Sequence, residues 1–232
     1  MNALCQTESL LIGAPEAVEE FEKKESVRLL VVSDTHGEGE LLEAIIKTFG
    51  PECDALFFAG DGCWDVAACL GKAYSNVALK EALPPVLALV RGNGDEEQYR
   101  ITTGTRQSQD EQDSHPGFPV FFADRQIVKA AGRKIFLTHG HRQRVEYGID
   151  SLVTASEMFD CDMVFFGHTH RPCVYEEKMC LLLNPGSCAR PRGEMPATFA
   201  VVEYPSFGEL YNVQFYAIDE SFGKYRFSRF CF

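Results

Sequence analysis

Val27-Arg28-Leu29-Leu30-Val31-Val32-Ser33-Asp34-Thr35-His36-Gly37 decides the fold. Residues 27–32 are apolar and β-branched without a polar residue at every second place, the pattern of a strand buried on both faces. The polar turn of residues 33–39 follows at once, and residues 40–49 then carry a helical spacing of apolar side chains. The same unit recurs downstream. Residues 55–59 form a second apolar run that ends in Gly60-Asp61-Gly62, with a helical stretch beginning near Asp65. Residues 86–90 form a third, ending before Gly92-Asn93. Strand, polar turn, helix, strand is the order of an α/β sheet.

Further along, residues 125–130 and 134–138 flank Gly132 as a hairpin that ends at His139-Gly140-His141. A helix is expected over 148–159, and residues 163–166 lead into Gly167-His168-Thr169-His170. Cys53-Asp54-Ala55-Leu56-Phe57-Phe58 resembles Cys161-Asp162-Met163-Val164-Phe165-Phe166, which points to equivalent strand positions. The remaining runs, 173–176, 179–183, 198–204 and 211–218, read as strands around the turn Asn184-Pro185-Gly186 and a second turn at 205–208. Late strands after early α/β units imply an α/β fold of two stacked mixed β-sheets flanked by helices.

Three segments fall outside this rhythm. Residues 1–26 are mixed and acidic with a short helix near 16–24, and are expected to be an N-terminal extension to a domain spanning 27–218. Residues 99–118 are polar and rich in Gln and Asp, an expected flexible surface loop. Residues 219–232 carry Tyr225, Phe227, Phe230 and Phe232, an aromatic tail suited to docking on its own core or on a second subunit as a homo-oligomer.

Composition narrows the function classes. A chain of 232 residues with 45% hydrophobic and 24% charged residues closes around one core without staples. A net charge of −12 argues against a nucleic-acid duplex as the main partner, because phosphate-backbone binding needs a basic surface. A small polar substrate fits better, and bound divalent cations would make a site locally positive while the rest of the surface stays acidic. The nine cysteines form no Cys-x-x-Cys pair and are odd in number, which points to a reducing, cytoplasmic compartment. No leader pattern opens the chain and no apolar run approaches about 18 residues, so neither secretion nor a membrane partner is expected.

The chemistry-bearing residues fall in one kind of place. Asp34 and His36, Asp61, Asn93, His139, and His168 and His170 each come just after an apolar strand, where open α/β sheets build their sites. Any one of these turns is ordinary: Asp-x-His begins many polar loops, and Gly-Asp and Gly-Asn are common turn dipeptides. All five in this order are not ordinary. Imidazole nitrogen with carboxylate or amide oxygen and no thiolate suits manganese, iron, zinc, cobalt or nickel. Two such divalent ions about 3.5–4 Å apart can share a hydroxide and neutralise charge on a phosphoryl group. His141 could contact phosphate, orient a ligand, or simply be solvated. Arg190 and Arg192 could reach an anionic substrate, although exposed arginines are common on any surface.

Together Asp34-Thr-His36, Gly60-Asp61, Gly92-Asn93, His139-Gly-His141 and Gly167-His-Thr-His170 resemble the calcineurin-like metallophosphoesterase superfamily, specifically its small bacterial and archaeal phosphodiesterase branch. Asn184-Pro-Gly-Ser187 resembles that branch's late signature turn, and the likeness covers roughly residues 27–204. The resemblance implies the stacked-sheet fold and a phosphodiester substrate attacked by a metal-bridging hydroxide, with manganese the preferred metal. It further implies Asp34, His36 and His170 for one ion, Asn93, His139 and His168 for the other, and Asp61 between them. Phosphomonoester or nucleotide pyrophosphate hydrolysis would use the same ligands. A eukaryotic retromer subunit shares the fold and serves in protein assembly, so a non-catalytic scaffold is the reading of another class. Many superfamily members carry a histidine after the Gly-Asn pair that protonates the leaving oxygen or binds phosphate; here Gly94 stands there.

Overall fold

The computed structural model describes residues 5–101, 118–204 and 211–232. In chain order it runs through strands β1 (Cys5–Gln6) and β2 (Ile12–Gly13), helix α1 (Pro15–Lys23), β3 (Val27–Val32), α2 (Gly39–Phe49), β4 (Ala55–Phe58), α3 (Cys63–Ala73), α4 (Val77–Ala82) and β5 (Val86–Leu89). Then follow β6 (Gln98–Ile101), β7 (Phe118–Phe121), β8 (Arg125–Ala130), β9 (Arg133–Thr138), α5 (Asp150–Phe159) and β10 (Met163–Phe165). The chain finishes with β11 (Cys173–Glu177), β12 (Cys180–Asn184), β13 (Ala197–Tyr204), β14 (Asn212–Ser221) and β15 (Lys224–Phe230).

The apolar runs become central strands because both of their faces have something to cover. In β3, Leu29 and Val31 point one way, joining Phe57, Ala88, Leu137 and Phe165 in a core between two sheets. Leu30 and Val32 point the other way, against Leu42, Ile45 and Ile46 of α2. Phe57 and Phe165 meet edge to face across the sheets with ring centroids 5.3 Å apart. On the outer face of the second sheet Phe136, Val164 and Leu182 lie under Leu152 and Val153 of α5. The result is helix, sheet, sheet, helix.

The first sheet has eight strands in the order β1-β2-β5-β4-β3-β13-β14-β15, and the second five in the order β11-β12-β10-β9-β8. β3, β4 and β5 are parallel to one another, as are β9, β10 and β12, while β13 closes antiparallel on β3. Both sheets are therefore mixed, as the order of elements predicts. No helix among the described residues is long and apolar enough to cross a membrane.

Two of the three segments outside the sequence rhythm join the first sheet, and the described ends of the third form a two-stranded sheet of their own. Within residues 1–26, Ile12 pairs with Leu87, and Phe21, 1% exposed, enters the core between the sheets beside Leu11 and Val18. Two-residue strands are too short to leave a periodic signal, which is why the segment reads as an extension. The aromatic tail pairs with the chain itself: Phe227 lies opposite Ile218, and its ring stands 5.5 Å from Phe199. Of the expected loop over 99–118, residues 102–117 lie outside the described residues. Its ends are strands, since β6 and β7 pair antiparallel with Ile101 and Val120 buried. Helix α4, six residues long, also escapes a period-based reading; Asn76 caps it by accepting from the Leu79 amide at 3.1 Å.

Phe21 offers a direct check on the role of the N-terminal segment. Phe21→Ala is expected to lower stability by about 3–5 kcal/mol, as for other fully buried phenylalanines. Urea unfolding measures it, and a change below about 1 kcal/mol, the level of an ordinary surface substitution, would show the segment to be an appendage.

Candidate metal centre

The carboxyl ends of β3, β4 and β5 and those of β9 and β10 deliver their following residues to one rim. The chain leaves these strands abruptly. Asp34, His36, Asp61, His168 and His170 all have left-handed backbone, with φ between 46° and 68°. Such conformations are rare away from glycine and cluster where a site requires them. The turns also pack against each other closely. A Cβ on Gly92 would stand 2.0 Å from Asp61 Oδ1, and one on Gly167 would stand 2.7 Å from Asp34 Oδ2, so only glycine fits either place.

Two groups of donor atoms result. Asp34, His36 and His170 form the first: His36 Nε2 and His170 Nε2 are 3.1 Å apart, and Asp34 Oδ1 is 3.1 Å from His170 Nε2 and 3.7 Å from His36 Nε2. Asp34, Asp61 and His139 form the second, with His139 Nε2 3.6 Å from Asp61 Oδ2. Asp34 belongs to both groups, so two carboxylates rather than Asp61 alone reach the middle of the arrangement. His168 sets its ring 5.1 Å from that of His139. Asn93, with His36, Asp61, His168 and His170, lines a cleft of 330 Å³. The seven side chains singled out in sequence thus lie around one rim.

Neighbouring groups orient them. His139 Nδ1 donates to the Ala59 carbonyl at 2.7 Å and His170 Nδ1 to the Arg190 carbonyl at 2.6 Å, which leaves each Nε2 as a free lone pair in the neutral ring. Asp34 Oδ2 accepts from Ser33 Oγ at 2.5 Å and from the His168 amide at 3.2 Å. The Asp95 carboxylate accepts four backbone N–H groups, those of Asp61, Gly62, Cys63 and Gly92, and so ties the β4 turn to the β5 turn. Ser187 Oγ donates to the Asp34 carbonyl and Asn184 Nδ2 to the Gly167 carbonyl, bracing both sheets from one turn. Asp95 has no such prominence in sequence, where it only follows Gly94.

The donor set suits a cation. His139 Nε2 is buried without a hydrogen-bond partner, and Asp34 Oδ1 accepts no hydrogen bond of good geometry although His170 stands beside it. Unpaired buried polar atoms cost about 1–3 kcal/mol each, so acceptors left facing one another point to a positive ion between them. Burial pushes the Asp34 carboxyl up, but the neighbouring His170 and His139 imidazoles and the Ser33 hydroxyl outweigh it and hold it below the usual carboxylate range. Burial lowers His36, His168 and His141, which keeps their rings neutral near pH 7. Burial lowers His170 as well, yet the Asp34 carboxylate overrides it and raises His170 above the ordinary imidazole value.

His141 and two arginines complete the surroundings. The His141 ring lies 5.4 Å from His139 and 6.2 Å from His168, and its Nδ1 is buried without a partner. Arg190 and Arg192, ordinary surface residues in sequence, line the cleft. Trp64, beside Asp61 in sequence, is 66% exposed and turns away to Tyr99.

The raised His170 gives a pH dependence with a definite sign. Its pairing with Asp34 stabilises the metal-free fold fully below the unfolded imidazole value, and this is lost as pH rises through the higher folded value. A bound cation needs the unprotonated ring, so its stabilisation runs the opposite way. The rise in Tm caused by a saturating divalent ion should therefore grow from about pH 6 to about pH 8. Paired melts with metal and with chelator measure it, and a difference that shrinks over that interval would remove His170 from the ligand set.

Comparison with known proteins follows the same lines. Residues 27–206 match the calcineurin-like phosphoesterase superfamily domain. The phosphodiesterase YfcE of Escherichia coli K12 is 28% identical over 182 residues, which cover 76% of this chain and 88% of that protein. A predicted phosphoesterase of Streptococcus pneumoniae superposes with a TM-score of 0.58 at 21% identity, covering 88% of this chain and 98% of its own. Vacuolar protein sorting 29 of Cryptosporidium parvum superposes with a TM-score of 0.55 at 19% identity, covering 88% and 96%. A sequence match that runs from β3 through β13 takes in all five turns that carry these side chains, and by it this chain belongs to the calcineurin-like phosphoesterase superfamily.

Proposed function

We propose that the chain is a phosphodiesterase that works with two divalent transition-metal ions, manganese being the first to test. Asp34, His36 and His170 hold one ion, Asn93, His139 and His168 the other, and Asp61 lies between. The observation that carries this reading is the pair of buried acceptors, His139 Nε2 and Asp34 Oδ1, left without hydrogen bonds on facing sheets. When bound, two such ions draw off phosphoryl charge and supply a nucleophile at neutral pH.

The protein's own share is placement. The Ala59 and Arg190 carbonyls hold His139 and His170 in the tautomer that presents Nε2, and Asp95 holds the turns of Asp61 and Asn93 in register. Arg190 and Arg192 stand where the non-bridging oxygens of an anionic ester would enter, and an arginine fork receives two such oxygens at once. Preorganised donors of this kind act on charge that develops in the transition state.

The test is a substrate panel on metal-reconstituted protein: bis(p-nitrophenyl) phosphate, cyclic nucleotides, p-nitrophenyl phosphate and nucleoside polyphosphates. Diesters are expected to be fastest. Faster monoester or polyphosphate cleavage would move the assignment to a phosphomonoesterase or a nucleotide pyrophosphatase with the same ligands. The likeness to vacuolar protein sorting 29 favours one other reading, a protein-assembly scaffold. Two bound ions with no turnover across the panel would establish it, whereas retention of all seven donor residues supports an enzyme.

A further inference from the structure

A second cavity, of 470 Å³, opens beside the metal cleft and shares His168 and Arg192 with it as walls. Its floor is apolar. Val145 and Phe166 are buried there, and Ile149 and Met195 are half-buried. Its rim is not. Glu146, Arg171 and Tyr175 are exposed around the opening, and Glu146 Oε2 stands 3.7 Å from His168 Nε2. The Arg171 guanidinium lies over the turn at Gly193, where an added Cβ would come within 3.1 Å of its Nε. The walls come from the loop before α5, the turn after β10 and the segment before β13, so no local stretch of sequence announces the cavity.

We propose that this cavity receives one ester substituent of the substrate, and that the substituent is a heteroaromatic ring carrying N–H donors, as in a nucleoside. The inference rests on the phosphodiesterase reading and deepens it. Continuity is the first ground, because a phosphoryl group between His168 and Arg192 has this cavity as its adjoining concave space. Size is the second: the volume falls in the range of roughly 300–1,000 Å³ typical of small-molecule sites and far exceeds a methyl group.

Chemistry is the third ground, and it selects the class. An alkyl chain would use the floor of Val145, Ile149, Phe166 and Met195 but would offer no N–H donor to the Glu146 carboxylate and no π face to the Arg171 guanidinium on the rim. A second anionic group would meet the Arg171 charge but be repelled by Glu146. A heteroaromatic ring meets all three features at once. Its edge lies on the apolar floor, its N–H groups donate to Glu146, and its face accepts a guanidinium from Arg171 or Arg192.

The test compares two diesters with the same p-nitrophenolate leaving group, thymidine 5′-(p-nitrophenyl phosphate) and methyl p-nitrophenyl phosphate. Each kcat/KM on manganese-loaded protein is divided by the spontaneous rate of that ester, and the ratio between the two is the readout. A ratio cancels any general loss of activity or folding in a variant. The native ratio should favour the nucleoside ester by about tenfold or more, the scale on which apolar pockets discriminate. It should fall to near one in Ile149→Trp, which fills the cavity, and severalfold in Glu146→Ala, which removes the rim carboxylate.

A native ratio near one, or one unchanged in both variants, overturns the proposal. If neither ester is cleaved, the phosphodiesterase reading has failed, and equilibrium dialysis of thymidine against native and Ile149→Trp protein then judges the cavity alone. Binding to the native chain that Ile149→Trp abolishes upholds the cavity as a heteroaromatic site. No binding to the native chain, or equal binding to both, overturns it.

Discussion

Asp61→Ala is expected to lower kcat on a diester by about 10³-fold or more and to reduce bound metal from two ions per chain to one or fewer, since metal stabilisation of a phosphoryl transition state is worth several kcal/mol. Asp61 is 7% exposed and its two oxygens have separate duties. Oδ1 accepts the Gly94 amide at 2.8 Å, which fixes the plane of the carboxylate, while Oδ2 faces His139 Nε2 at 3.6 Å. Alanine removes the charge and the oriented oxygen together. It leaves the packing at Gly92 intact, because glycine there yields to the Asp61 carboxylate and a smaller side chain only adds space. Elemental analysis and steady-state rates on the same preparation measure the outcome. Because Asp34 also reaches both donor groups, Asp34→Ala made in parallel separates the two carboxylates. Two ions and full activity in Asp61→Ala, with both lost in Asp34→Ala, would transfer the bridging role to Asp34.

Gly94→His is expected to speed hydrolysis of alkyl diesters by about 10²-fold while changing activated aryl diesters little, because general acid catalysis contributes about 10² to 10⁴ and matters most for poor leaving groups. The native chain has no imidazole at this position, so its rates should depend steeply on leaving-group pKa. The backbone admits the substitution. Gly94 is not among the residues with positive φ, and a Cβ there would stand 3.4 Å from Asp61 Oδ1, a close contact that a shift of a few tenths of an ångström relieves. His141 is the competing proton source. Its ring stands near His139 and His168 and its Nδ1 lacks a partner, although burial lowers its pKa and so reduces the protonated form that a general acid needs. A leaving-group series on native, Gly94→His and His141→Ala proteins separates the two. A shallow native slope that steepens only in His141→Ala would reject the missing acid at Gly94 and assign the role to His141.

Much of this was legible in sequence because the informative signals are local. A strand buried on both faces leaves a continuous apolar run, as in residues 27–32, and a strand end in such a sheet must release the chain into a polar turn. Five such turns carrying Asp34, His36, Asp61, Asn93, His139, His168 and His170 therefore stand out as a set although each alone is ordinary, and the late strands point to two stacked sheets. Short or composite elements do not. β1 and β2 have two residues each, α4 has six, and the β6 and β7 pair joins residues on either side of a polar run. None holds enough residues for a period to emerge.

The sequence by itself determined the α/β order of elements, the strand-end positions of the seven donor residues and the chemistry that their side chains favour, since each follows from residue type and spacing along one stretch of chain. Only the tertiary structure decided that Asp34 reaches both donor groups, that Asp95 joins two turns through four amides, that β1 and β2 add to the edge of the main sheet, and that Glu146 and Arg171 stand over a cavity shared with His168. These are distances between segments remote along the chain, set by how two twisted sheets and their helices close on a common core, and no local pattern of residues encodes them.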